Sequence, residues 1–533
     1  MFLRKFLAFG LVVGLAAWLL NTTTTPSGPF TLTIIHTNDI HAWHEPQKVN
    51  EKSSIGGQAR LATAIRRIRD QAGPSILVDA GDRFAGTLFF NEYKGLENVK
   101  LMNWMGYHAM ALGNHEFDEG DQGLANFIDQ LNFPVLACNV DVSRSPVLRG
   151  KIQPATIVPV ADRLIGIVGL VTADTKTISN PSADVTFSAD YLGKVQATAT
   201  ALRLKGAHAV ILVSHLGLAE DKKLAEKLSG INVIIGGHSH TLLSNRHRAK
   251  AEAEYPLRVV NREGVPVFIV QAYWKNQYVG RLDVTFDSNG RAIHAEGDTI
   301  LLDESYPLDP TIEAEVKRLA GPIDSFRRKT IPARVNGPPP TITLTLSNDR
   351  VRQEETLLGN LVADAYRSAA KAQIGLIGGG GLRAPLPGNQ PLTYGDIYTT
   401  LPFGNILCRI SLSGADLVAA LEHGVAGIEA NRGQFLQVSG LRYRFERKAP
   451  VGQRIRSVEV QRGDSFVPID RQANYTIALD SFLRNGGDGF TMFRDKASDV
   501  LDDLGPVTTA LMTYIAQHAP VTPRLEGRIQ AIP

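Results

Sequence analysis

The sequence predicts an α/β protein of more than one domain, and three observations carry that prediction. Short apolar runs, most of them rich in Ile, Leu and Val, recur through the first half and alternate with helix-like segments. A polar cluster containing Asp, Asn or His follows directly on each of five such runs. The chain has 533 residues, more than one compact core organises.

At the amino terminus Arg4 and Lys5 precede an uncharged apolar stretch from Phe6 to Leu20, the layout of a secretory signal. The stretch is shorter than the ~20 residues a spanning helix usually needs. No small-x-small cleavage site and no lipobox-like cysteine follow it. A cleaved signal is the preferred reading, with membrane attachment through residues 6–20 as the alternative. Either one places the body of the chain in the periplasm or outside the cell. Residues 1–30 are therefore signal or anchor plus a tether.

The runs Leu32–Ile35, Ser75–Val78, Ala109–Leu112, Ala209–Val213 and Val233–Ile235 read as buried strands. Between them, Gln58 to Arg69 carries Ala59, Ala62, Ile65 and Ile68 at helical spacing, and Asp190 to Leu204 is a weaker second helix. This alternation, continuing to about Val284, predicts a layered α/β domain over residues 31–305. Pro310 and an acidic first turn after Asp309 open a mixed-charge segment to about Lys329, which reads as a solvated connecting helix over 306–330. Pro338-Pro339-Pro340 is stiff and non-helical, and a second domain is expected over 331–533.

Composition narrows the function. A net charge of +3 with no basic tract argues against a nucleic-acid polymer as partner. Only Cys138 and Cys408 are present, each in an apolar stretch, so burial is expected rather than a disulfide or a thiolate metal site. The sequence sets no oligomeric state.

The chemistry lies in the five polar clusters: Asp39-Ile40-His41, Gly81-Asp82, Gly113 to Asp118, Ser214-His215 and Gly236 to His240. Open α/β sheets place ligands beyond the carboxyl ends of their strands, where these clusters stand. Singly, each has a plain explanation: Asp39 as a helix cap, Asn114 as a loop residue, His215 as a satisfied core histidine. Together they form a set of carboxylate, amide and imidazole donors, which favours Mn, Zn, Co or similar ions. Two such cations can share one carboxylate, bind a hydroxide and neutralise phosphate oxygens. Asp82, midway through the set, suits the shared role. His115, one residue from Asn114, is better placed as a cationic group near the transferred phosphoryl, with Asp118 holding its ring.

The strings Ile34 to His41, Val78 to Asp82, Leu112 to Asp118 and Gly236 to His240 resemble the 5′-nucleotidase family of calcineurin-like metallophosphatases. That resemblance implies an amino-terminal domain of two sheets flanked by helices, joined by a helix to an α/β nucleotide-binding domain. It implies that Asp39, His41, Asp82 and His240 bind one divalent metal and that Asp82, Asn114, His215 and His238 bind the other. His115 and Asp118 would be the catalytic dyad. Some members carry Gln where this chain has His240, and most carry Gly where it has Ala42.

In the second domain, Gly378-Gly379-Gly380-Gly381 lacks the Lys-Ser/Thr of a P-loop, so a tight turn competes with phosphate binding. Phe403 and Phe490 sit on Gly/Pro-rich loops, where two rings can stack on both faces of a base. Here too the chain is similar to the 5′-nucleotidase carboxy-terminal domain, whose usual leading Asn is replaced by Gly378. The resemblance implies Phe403 and Phe490 as a base clamp, Arg352 and Arg383 as contacts to the nucleotide, and Asp495 on the ribose. The expected activity is removal of the 5′-phosphate of a nucleotide. The alternatives are a 2′,3′-cyclic-nucleotide phosphodiesterase/3′-nucleotidase, a UDP-sugar hydrolase, and an inactive surface nucleotide-binding protein.

Overall fold

A computed structural model describes residues 28–49, 53–334, 346–388, 390–502 and 504–532. The signal or anchor stretch and the Pro338–Pro340 segment lie outside the described residues.

The apolar runs are strands; most extend by a few residues, while the third ends at Ala111, short of Leu112. Phe30–Thr37, Ser75–Asp79, Ala109–Ala111 and Val135–Leu136 pair in parallel within a seven-stranded sheet, with Tyr278–Phe286 and Ala292–Leu301 as its antiparallel flank. Arg163–Val171, Ala209–His215, Val233–Gly236 and Pro266–Val270 form the parallel centre of a six-stranded sheet. The two sheets pack face to face through Ile34, Val78 and Ala111 on one side and Ile167, Leu212 and Ile234 on the other. Burial on both faces explains why these strands read as continuous apolar runs. Helices Gln58–Gln71 and Glu97–Met105 cover the outer face of the first sheet.

The connecting helix departs from the sequence reading. Asp309 caps Pro310–Arg328 by accepting from the Thr311 and Ile312 amides at 3.0 and 3.1 Å. Its face Ile312, Val316, Leu319 and Ile323 is buried against the amino-terminal core. The expectation of a solvated helix followed its charges and overlooked this i, i+4, i+7, i+11 stripe. The helix is docked on the first domain. The chain then crosses at Lys329, because Thr330–Arg334 pairs with Pro391–Thr393.

The carboxy-terminal half is built on a five-stranded mixed sheet, in the order Leu436–Ser439, Ile374–Gly378, Asn474–Asp480, Leu407–Ser413, Ser498–Leu501. Helices Leu357–Ala369 and Val507–Gln517 pack on one face, and Gly414–Ala426 with a four-stranded sheet on the other. Neither cysteine forms a disulfide; Cys408 is buried and donates to the Asp502 carbonyl. Among the described residues no helix is long and apolar enough to cross a membrane.

Candidate metal centre and substrate site

Five loops at the carboxyl ends of the parallel strands converge on one point. Asp39, His41, Asp82, His238 and His240 all take left-handed backbone conformations, with φ of 51, 50, 59, 73 and 55°. Such angles are uncommon for side chains with a Cβ and persist where the surroundings enforce them. Part of the enforcement is close packing of two glycines. A Cβ on Gly81 would stand 2.4 Å from the Gly113 nitrogen, so only this pair lets the Asp82 and Asn114 loops meet.

The donor atoms fall into two overlapping groups. Asp39, His41, Asp82 and His240 place ligand atoms within 4.8 Å of one another, and so do Asp82, His215 and His238. Asn114 joins the second group through its Oδ1, 2.9 Å from His238 Nδ1. His41 Nε2 and His240 Nε2 face each other at 3.0 Å. Burial drives both imidazoles well below their usual pKa, and His238 down to about 3, so these rings carry lone pairs. Neutral imidazoles crowded at that distance suit a cation between them. Burial pushes the Asp82 carboxyl up, but His215, His115 and His41 outweigh it and hold the group ionised.

Beside this cluster His115 Nδ1 lies 2.7 Å from Asp118 Oδ2, and Ser179 donates to the other Asp118 oxygen at 2.7 Å. The His115 amide donates to Asp82 Oδ1 at 2.9 Å, tying the dyad to the shared carboxylate. From the second domain the Phe403 ring stacks on His115 at 5.7 Å and 9°. The Arg383 guanidinium lies 5.5 Å from the centre of that ring. Burial and the neighbouring Arg352 push Arg383 down to about 10, so it still carries its charge at neutral pH.

Two residues from the sequence reading are placed differently. Phe490 is fully buried, stacked on Phe493 at 5.2 Å and edge-on to His423 at 4.7 Å, so it presents no open face to a base. Asp495 is exposed and bonded to the adjacent Arg494 at 2.7 Å. The glycine cluster is a short 3-10 turn at Gly379–Gly381, whose backbone packs against Val351 and Gly433.

Residues 32–242 match the model of the calcineurin-like phosphoesterases, and residues 334–495 that of the 5′-nucleotidase C-terminal domain. A 5′-nucleotidase from Bos taurus is 34% identical over 94% of this chain and 91% of its own length. The chain belongs to the 5′-nucleotidase family. The human 5′-nucleotidase is 33% identical, over 95% of this chain and 91% of its own length. The structure of a 5′-nucleotidase precursor from Thermus thermophilus superposes with a TM-score of 0.88 at 39% identity, covering 94% of this chain and 99% of that one. Membership makes the chain a metal-dependent phosphomonoesterase acting on nucleotides.

Within this 5′-nucleotidase framework the structure adds residues that motif reading passed over. Glu116, inside the Gly113–Asp118 string, is fully buried and accepts four backbone amides. Its Oε2 takes Asp82 and Gly113 at 3.0 and 2.7 Å, and its Oε1 takes Arg83 and Phe84 at 2.7 and 3.3 Å. One carboxylate thus clamps the loops of Asp82 and Asn114. Glu116→Gln turns one acceptor into a donor and should cost about 1–3 kcal/mol for each amide left unpaired. The same change should weaken metal retention by about 10–100-fold, as loss of a ligand's support does. Denaturant midpoints and a metal titration check both. Behind the clamp, Arg83 is fully buried and bonded to Asp79 and Tyr107, each at 2.6 Å. Lys275, pushed down to about 7 by burial and by Arg383, lies 4.0 Å from the Trp274 ring centre.

Proposed function

We propose that this chain is an extracytoplasmic 5′-nucleotidase that splits a nucleoside 5′-monophosphate into nucleoside and phosphate with two divalent ions. The observation that carries the reading is that Asp82 belongs to both ligand groups. Asp39, His41, Asp82 and His240 would hold one ion, and Asp82, Asn114, His215 and His238 the other. The donor set suits Mn, Zn, Co or similar ions. When bound, such ions polarise phosphoryl oxygens and lower the pKa of water.

The chain's own residues supply the rest. His115 is the group that gives a proton to the departing ribose oxygen, and Asp118 fixes its Nδ1 as the donor side of their hydrogen bond. Arg352 and Arg383, desolvated cations on the second domain, offset the charge of the phosphate. Phe403 offers a flat ring for the base beside His115. For Phe490 to close on the other face, the Gly486–Gly489 turn has to shift. Asp495 would have to leave Arg494 to reach the ribose. The signal-like residues 6–20 support an extracytoplasmic site of action, as do the relatives named as snake venom 5′-nucleotidases.

The test is phosphate release from AMP by metal-stripped protein to which Mn or Co is returned. AMP should be cleaved in preference to 3′-AMP, 2′,3′-cyclic AMP and UDP-glucose. No release from AMP with any of these ions ends the proposal, and preference for a cyclic or 3′ substrate replaces it.

A further inference from the structure

Most of the imidazoles around the metal centre are held by a second contact, and the way His240 is held is unlike the others. His41 and His215 each turn Nδ1 to a backbone carbonyl, Phe84 at 3.1 Å and Ala80 at 2.6 Å, which leaves Nε2 facing the cluster. Among the described residues no hydrogen bond reaches His240 Nδ1. Its ring instead lies flat on the Trp274 indole, with centroids 4.4 Å apart and planes 14° from parallel. The same indole meets the edge of His41 at 6.4 Å.

Trp274 is itself firmly placed. Tyr273, Lys275 and Asn276 around it are all in the left-handed region, with φ of 65, 57 and 56°. Asn38 donates to the Tyr273 carbonyl at 2.6 Å, the Lys275 amide to Asp39 at 2.9 Å and the Tyr273 amide to Thr241 at 2.9 Å. This loop is thereby sewn to both ligand loops it faces. Two basic side chains lean on the indole: Lys275 Nζ at 4.0 Å and the charged Arg383 guanidinium at 5.8 Å.

We propose that Trp274 is a positioning residue for the metal centre, fixing by ring stacking the His240 orientation that hydrogen bonds fix for His41 and His215. The inference rests on the proposed role of His240 as a ligand. A ring that turns about χ2 carries its Nε2 away from the cluster. Removing the plate should therefore weaken metal binding while leaving the fold intact.

The test is titration of Mn(II) into metal-stripped full-length protein against a competing chelating dye, with the melting midpoint of the stripped protein as the folding control. Trp274→Ala should bind about 10–100-fold more weakly, and Trp274→Phe, which still stacks, within about threefold of the parent. Should the Ala variant not fold, Trp274→Leu, which fills the space without a ring plane, carries the same expectation. In a His240→Gln background, Trp274→Ala should add less than about threefold, since the ring it steers is gone. Parental affinity in folded Trp274→Ala or Trp274→Leu overturns the inference, as does an undiminished loss in the His240→Gln background. If His240→Gln alone leaves affinity unchanged, the ligand assignment fails and the inference falls with it. If His240→Gln weakens binding and Trp274→Ala does not, only the inference falls.

Discussion

Asp82→Ala should empty both of the proposed metal positions and lower kcat/KM by at least about 10³-fold, since the several kcal/mol that metal ions contribute at a phosphoryl group convert at about 1.4 kcal/mol per tenfold. The effect is large because Asp82 serves more than one partner. Its Oδ2 lies 3.7 Å from His41 Nε2 and 3.2 Å from His215 Nε2, one imidazole from each ligand group. Its Oδ1 accepts from the His115 amide at 2.9 Å, so the dyad loses an anchor as well. Elemental analysis of the purified variant reads the first effect and steady-state kinetics the second. A variant that keeps two equivalents of metal would refute the sharing of this carboxylate.

His115→Ala should keep its metals and lower kcat by about 10²–10⁴-fold, the usual contribution of a positioned acid or base. Burial lowers the His115 pKa, but Asp118 and Asp82 outweigh it and leave it raised above the ordinary value. The protonated, proton-giving form is therefore fully present below the ordinary histidine pKa, and it is lost as pH rises through the raised one. Activity should show an alkaline limb there. Asp118→Asn removes one of the two raising charges, so that limb should move to lower pH. A kcat–pH profile decides this: unchanged kcat in His115→Ala, or an unmoved limb in Asp118→Asn, would take the proton away from His115.

Much of the fold and of the metal cluster was legible in the sequence, for a physical reason. Each ligand loop follows a strand buried on both faces, so an apolar run and then a sudden Asp, Asn or His marks both the strand and its edge. Ala209–His215 shows this most plainly: five apolar residues, then Ser214 and the imidazole. What stayed hidden depends on partners distant in the chain. Phe490 reads as a loop aromatic, and only its contacts with Phe493 and His423 reveal a ring sealed in the core. Trp274 sits on an irregular loop with no periodicity to mark it, and it is brought to His240 by strand order. Glu116 was in view inside a quoted motif, yet its four amide partners come from the chain on both sides of a tight glycine contact. The connecting helix carried its own signal in Ile312, Val316, Leu319 and Ile323, which its dense surface charge obscured.

The stacking of Phe403 on His115 has a consequence for the catalytic cycle. If His115 is the proton donor proposed above, its imidazole has to be recharged from water before it can act again, and in this arrangement an aromatic ring from the opposite half of the molecule stacks over it. Were the halves to part for the nucleoside to leave, the same motion would uncover this imidazole and let it regain its proton. A medium that slows that parting should delay both together, so that turnover falls with viscosity even where bond cleavage itself is fast.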